Sequence, residues 1–459
     1  MNILLTHGYF LHEDPREQAI MRPYPPLGLL YISAWLEQNG FDNEVFDATF
    51  SSLAALQQRL LQSPPQLLGI YTNLMTKLNV LKLIRFVRSE PALQQTKIIL
   101  GGPEVRNHKE NFLAFGADVI VFGEGEDTML ELAKAYAASP DPDLTLIPGI
   151  AYKQQDAVMV NDDRLLIRDV NQLPFPNRKK IDLQKYFDAW KAKHGISMVN
   201  LNTMRGCPYS CRWCSRAVYG ASYRRRSPSL VVDEIQWLQA NYQFDMIWFV
   251  DDVFTINHKW LREFAQEMQS RGVQVPYEII TRSDRVTPEV LDLLKASGCA
   301  RIWIGAESGS QKIIDAMDRR VKVEEVRAAI QAVKAKGMQA GTFIMLGYPG
   351  EEESDILETL QHLKESNPDW YTITIAYPIK GTPLYQEVQN DFTHQPAWSE
   401  GTDRDIDFKR RYRRRYYNKA IQWINNEMYY HQHRGQRGSM RARIQAIKAR
   451  GLMWLYKYI

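Results

Sequence analysis

Three of the chain's four cysteines, Cys207, Cys211 and Cys214, fall within one short stretch, RGCPYSCRWCSR (205–216). Four cysteines in 459 residues cannot form a disulfide framework, and in a reducing compartment clustered thiols bind metal or do catalysis. A structural zinc site wants four closed ligands, usually as two separated pairs, and no fourth Cys or His lies in this stretch. A cubane iron–sulfur cluster takes one thiolate per iron, so three cysteines hold three irons and leave the fourth open to a substrate or cofactor. Free cysteines otherwise scatter through cores as small hydrophobes, which is how Cys299 in KASGCARIW reads.

Such a loop needs rigid elements behind it. From Met198 the strand patterns MVNLNTMRG, MIWFVDD, PYEIITRS, RIWIGAES, GTFIMLGYP and WYTITIAYP alternate with helical ones such as SLVVDEIQWLQANY and VEEVRAAIQAVKAKG. Six such units predict a partial (β/α)6 barrel over residues 198–390, with its chemistry at the C-terminal strand ends. The cysteine loop follows the first strand. Residues 1–137 show a second alternation, NILLTHG, NEVFDAT, LLGIYT, KIILGG and DVIVFG with helices between, which predicts a doubly wound Rossmann-like parallel sheet. Its ligand edge would carry GGPEV (101–105) and GEGE (123–126). Residues 138–197 read as a hairpin and the proline-stiffened connector LPFPNRKK, and residues 391–459 as a basic, mainly helical extension. The predicted fold class is therefore α/β with a helical C-terminal tail.

At 45% hydrophobic and 24% charged residues, the chain has the composition of a folded protein. MNILLTHGYF lacks a signal-peptide pattern and PPLGLLYISAWL is too short to span a bilayer, so a cytoplasmic location is expected. Charge is uneven: from Arg404 onward there are 15 Lys plus Arg against 3 Asp plus Glu, leaving the rest of this +4 chain at −8. Basic and aromatic residues mixed in this way suit an anionic partner or peripheral contact with a membrane, or else a solvated face docked on the preceding domain. No helix-turn-helix or zinc-finger spacing supports specific nucleic-acid readout.

CPYSCRWC resembles the C-x-x-x-C-x-aromatic-C signature of the radical S-adenosylmethionine (radical SAM) superfamily. The resemblance implies a 4Fe-4S cluster on Cys207, Cys211 and Cys214, whose open iron chelates the amino and carboxylate groups of S-adenosylmethionine. It implies that Trp213 lies against the adenine and that Asp251 or Asp252, in WFVDDVF, accepts from the amino group, although an Asp at a strand end also serves as a helix cap. Arg282 in TRSD would pair with the methionyl carboxylate, and Glu307 and Ser308 in AESGS would meet the ribose. GYPGE and YPIKGTPLY resemble the superfamily as well, with Gly347 and Gly350 either contacting adenine or simply making turns. One-electron cleavage to a 5′-deoxyadenosyl radical follows from membership, with an electron donor such as flavodoxin or ferredoxin.

RPYPPLGLLYISAWLEQNG, GGPE and GEGE in the first domain resemble the cobalamin-binding domain of cobalamin-dependent radical SAM enzymes. Gly101, Gly102, Gly123 and Gly125 would let the backbone approach the corrin or its tail, and Glu104 and Glu126 would accept hydrogen bonds from it. His7 and His12 lack the Asp-x-His-x-x-Gly frame of a lower axial ligand, so cobalamin would be held without one. The reaction expected is methylation of an unactivated carbon, the subgroup's alternative being cyclisation or oxidative rearrangement of tetrapyrrole type. Absence of any cysteine before Cys207 argues against methylthiotransfer, and the intact cysteine set argues against a non-catalytic binding protein. Aromatic residues such as Tyr377 and the amphipathic tail suggest a large apolar or anionic small-molecule substrate, a lipid or tetrapyrrole.

Overall fold

The first alternating series folds into a sheet whose strands are β1 (Ile3–His7), β2 (Glu44–Phe46), β3 (Leu67–Tyr71), β4 (Lys97–Gly101), β5 (Val119–Val121), β6 (Ile150–Gln154) and β7 (Ala157–Val160), in the order β2-β1-β3-β4-β5-β6-β7. The chain is described by a computed structural model over residues 1–457. β1 to β5 pair in parallel. Strands buried on both faces must be apolar at successive positions, and they split their side chains between two cores. Leu4, Leu68 and Leu100 enter one core with Val80 and Ile84. Ile3, Leu5 and Ile99 enter the other with Leu30 and Leu132.

Residues 150–160 do form a hairpin, but it does not stand apart as a connector. β6 runs antiparallel to β5 and β7 antiparallel to β6, extending the first sheet. The physical reason is the open edge of β5, whose backbone groups need partners.

The second series provides β8 (Met198–Leu201), the short strands β9 (Met204–Arg205) and β10 (Arg224–Arg225), then β11 (Met246–Phe249), β12 (Tyr277–Thr281), β13 (Cys299–Glu307), β14 (Gln339–Leu346) and β15 (Trp370–Ile375). Six of them form a curled half-barrel sheet in the order β15-β14-β13-β12-β11-β8, with parallel register from β12 to β15. Helices Pro228–Asn241, Pro288–Ala296 and Pro383–Val388 each start with Ser/Thr-Pro: the hydroxyl of Ser227, Thr287 or Thr382 accepts from a backbone N–H of the first turn, and proline fills the first helical position.

Two compact units result, one of Met1–Pro208, Ser215–Trp248 and Pro396–Arg404, the other of Tyr209–Cys214, Phe249–Gln395 and Asp405 onward. The basic C-terminal segment is built into the second rather than left solvated. Helix Arg414–Gln432 buries Tyr416, Tyr417, Trp423, Ile424 and Met428, and Lys364 pairs with Glu427 at 2.8 Å. Helix Ser439–Tyr456 packs on it through Ala442, Ala446, Ala449 and Met453. No helix among the described residues is long and apolar enough to cross a membrane.

Candidate active site

The cysteine loop is closed at its base. β9 and β10 pair antiparallel, Arg205 opposite Arg224, and Gly206 follows at φ 86° with a position where a Cβ would meet Ser222 Oγ at 2.3 Å. Only glycine fits there. Arg205 is buried and donates to Glu124 Oε1 at 2.8 Å and Glu126 Oε1 at 2.5 Å, while Glu124 Oε2 accepts from Arg224 at 2.6 Å and from the Ile167 N–H at 2.8 Å. Burial opposes charge on Arg205, but Glu126 and Glu124 outweigh it and hold the guanidinium well above its ordinary value. Glu126, expected at a cofactor, is thus engaged by Arg205.

At the tip, Cys211 is buried, Cys207 half-buried and Cys214 exposed, none of them in a disulfide. The Cys214 N–H donates to the Cys211 carbonyl at 3.2 Å, turning the chain between these two cysteines. Neighbouring residues anchor the turn: Ser210 donates to Asp318 at 2.7 Å, the Arg212 N–H donates to Met317 O at 3.2 Å, and the Leu384 N–H donates to Arg212 O at 3.0 Å. Tyr209 accepts from Arg285 at 2.7 Å and lies under Arg282, 3.9 Å from its ring centroid. Arg319 donates to Cys211 Sγ at 3.5 Å and sits 5.8 Å from the Trp213 ring, which packs against an apolar cluster that includes Ile313, Met317 and Tyr348. A cation there offsets the negative charge that thiolate ligands would accumulate. Tyr209, Arg285 and Arg319 have no sequence signal: their partners lie up to 108 positions away.

Among the described residues no three His, Cys, Asp or Glu side chains are already gathered as a metal site. The fit to an iron–sulfur cluster therefore rests on the donor set: three cysteines outside any disulfide on one braced loop, with a guanidinium against one of them. A polar ligand also fits, because Arg319 Nε, Ser283 Oγ and Glu351 Oε1 are buried and have no partner among the described residues. Such orphaned groups are costly unless something satisfies them.

At the strand ends, Asp251 is buried; Asp252 reaches solvent but is hemmed in by protein, which together with the charge of Asp251 raises its carboxyl. Neither caps the next helix, since Asn257 does so by accepting from the Trp260 N–H. Arg282 donates to Asp284 at 2.8 Å and to Arg319 O at 2.9 Å, so it is committed to the loop framework. Glu307 ends β13 at φ 64°, a conformation rare for a side-chain-bearing residue and concentrated at functional sites. Burial raises its carboxyl despite Arg319, 3.7 Å away, and Arg282. Ser308 faces inward, 3.2 Å from the Thr359 hydroxyl. After β14, Gly347 and Gly350 both take positive φ, and Glu351 accepts from the Gly347 N–H at 2.5 Å. Burial pushes Glu351 up to about 8. Cys299 is the packing residue its sequence context suggested, with burial pushing its thiol up.

On the first sheet's edge the glycines sort by what surrounds them. Gly102 (φ 108°) is required by the turn, where a Cβ would lie 2.4 Å from Thr72 O, and Gly125 by packing against Ile32, 3.0 Å away. At Gly101 and Gly123 a Cβ would make only ordinary contacts, at 3.9 and 4.0 Å, and Gly123 is favoured as glycine by its φ of 90°. Glu104 is buried, its Oε1 3.7 Å from His108 Nε2. His7 has both ring nitrogens engaged, Nε2 3.1 Å from Asp47 and Nδ1 accepting from the Tyr9 N–H, and His12 is exposed.

A half-barrel with a three-cysteine loop behind its first strand, preceded by a doubly wound domain, is the architecture of a two-domain radical enzyme. Residues 201–363 match the radical SAM superfamily and residues 20–133 the B12 binding domain. An uncharacterized methyltransferase of Pyrococcus horikoshii is 28% identical over 404 residues, 85% of each chain. An anaerobic magnesium-protoporphyrin IX monomethyl ester cyclase of Cereibacter sphaeroides is 27% identical over 85% of this chain and 64% of its own. Among solved structures, the radical SAM methyltransferase TsrM from Kitasatospora setae superposes with a TM-score of 0.70 at 18% identity, covering 85% of this chain and 78% of TsrM. The cobalamin-dependent enzyme OxsB, with aqua-cobalamin and S-adenosylmethionine bound, gives 0.77 at 17% identity over 94% and 67%. At these identities the two structures establish the fold. The chain thus carries a radical SAM domain and a B12-binding domain, and the proteins it is similar to include methyltransferases and cyclases.

Proposed function

We propose that this chain is a cobalamin-dependent radical SAM methyltransferase that methylates an unactivated carbon of a small-molecule substrate. The observation that carries the reading is one chain holding both matched domains, with Cys207, Cys211 and Cys214 on the loop after the first half-barrel strand. When bound, a 4Fe-4S cluster with S-adenosylmethionine supplies a 5′-deoxyadenosyl radical and cobalamin supplies a transferable methyl group. In this reading Cys207, Cys211 and Cys214 ligate the cluster and Arg319 balances its charge at Cys211. Trp213 flanks the adenine, Asp251 or Asp252 accepts from the ammonium group, and Glu307 accepts from the ribose. Because Arg282 is committed to Asp284 and Tyr209, it acts by holding the loop. Gly101 and Gly123 present backbone to cobalamin. A one-electron donor such as flavodoxin or ferredoxin is required.

Anaerobically reconstituted protein given S-adenosylmethionine, cobalamin and reductant is expected to form S-adenosylhomocysteine and 5′-deoxyadenosine together. Deoxyadenosine alone would favour the second reading, a cyclase or oxidative rearrangement enzyme, which the 27% identity to a ring cyclase supports.

A further inference from the structure

Helix Ser439–Tyr456 is apolar on two sides. One side, Ala442, Ala446, Ala449 and Met453, is buried against the protein. The other faces outward: Met440 is 65% exposed, Ile444 52%, Ile447 61% and Trp454 67%. These four lie on one face of the helix, with Gly451 at the turn between Ile447 and Trp454 and Leu455 at the end. Single exposed apolar side chains are ordinary, but an aligned row of long ones marks a contact surface. Ile447 also borders a groove of about 700 Å³ of mixed character, where Leu357, Leu360 and Trp423 alternate with charged side chains such as Glu358 and Lys364.

Charge identifies the occupant. Every charged side chain from 439 to 457, namely Arg441, Arg443, Lys448, Arg450 and Lys457, is basic. Arg443, Arg450 and Lys457 lie along one flank of the stripe and pair with Glu427 and Glu353 of the same unit. Arg441 and Lys448 lie along the other flank, exposed and without an ion pair among the described residues. A second copy presenting the same face would bring cation against cation. An anionic bilayer complements it: the stripe enters the acyl boundary, Arg441 and Lys448 meet headgroups, and the indole of Trp454 suits the interface.

We propose that the outward face of helix Ser439–Tyr456 docks this enzyme on anionic lipid membranes; this stands independently of the reaction catalysed. The test is co-sedimentation of the full-length protein with vesicles of phosphatidylcholine alone or with phosphatidylglycerol added, near physiological salt. The wild type should pellet with the anionic vesicles and stay in solution with the neutral ones. I447E/W454E should lose pelleting, and R441Q/K448Q should weaken it roughly fivefold per charge removed, more steeply at low salt. Because all four side chains are exposed, both variants should keep the wild-type melting temperature. A wild type that stays in solution with anionic vesicles, or an I447E/W454E variant that pellets equally well, overturns the proposal. A wild-type dimer by light scattering that I447E/W454E converts to monomer, with no vesicle binding, overturns it in favour of a second copy.

Discussion

Buried glutamates stand at the C-terminal edges of both sheets, and they are used in opposite ways. After β5, Glu124 and Glu126 are consumed by Arg205, Arg224 and the Ile167 N–H. After β13 and β14, Glu307 and Glu351 are buried with too little compensation, so their carboxyls are raised, and Glu351 Oε1 has no partner among the described residues. Residue type and strand-end placement are the same. What differs is whether an arginine donates directly to the carboxylate, as at Glu124 and Glu126, or stands off, as Arg319 does from Glu307, and that separates a glutamate that braces a loop from one left available to a ligand.

The sharpest break would come at the loop that the first pair braces. Replacing Cys207, Cys211 or Cys214 with Ala should abolish S-adenosylmethionine cleavage and the reduced-cluster EPR signal; cleavage retained in any of the three would overturn the cluster assignment. Next in size, Arg205→Ala should strand the buried Glu126 carboxylate, leave Glu124 with Arg224 and the Ile167 N–H, and destabilise the protein by about 3–5 kcal/mol in chemical denaturation. A loss under about 1 kcal/mol would mean that Glu124 and Glu126 are not spent on it.

For the second pair the readout is pH. Glu351 ionises at about 8 when folded and in the ordinary carboxylate range when unfolded, so the folded chain keeps a proton that the unfolded chain releases. Stability should therefore fall as pH rises from 6.5 to 8, by at most about 1.4 kcal/mol per pH unit from this group. His362, lowered by burial to about 4, has the opposite sign, but its slope is confined below pH 6.5. Melting curves of Glu351→Gln should lack the alkaline decline that the wild type shows. The smallest effect is expected at Glu307: Glu307→Gln should weaken S-adenosylmethionine binding about tenfold by calorimetry while shifting stability by less than about 1 kcal/mol. Unchanged affinity would place Glu307 with the structural pair.

Much of the fold could be read from local pattern. The strands and helices of both series formed where the apolar period put them, and the cysteine loop lies directly after the β8–β9 segment. Elsewhere, pairing over distance overrode the local reading. The hairpin 150–160 joined the first sheet because β5 needed an edge partner, and the basic C-terminal segment packed because its tyrosines, Trp423 and Ile424 had a core to enter. Gly102 and Gly123 look alike in sequence, but Thr72 O crowds one and nothing crowds the other.

Chain-local chemistry was enough to establish an α/β architecture, a three-thiolate loop at a half-barrel mouth and the kind of cofactor that such a loop suits, because spacing and periodicity act over a few residues. Tertiary structure alone decided which charged side chains remain available. Arg319 reaches Cys211 across 108 positions and Arg205 reaches Glu124 across 81, and no local pattern encodes a partner at that distance. In a low-dielectric interior, the nearest cation determines whether a carboxylate is a strut or a site.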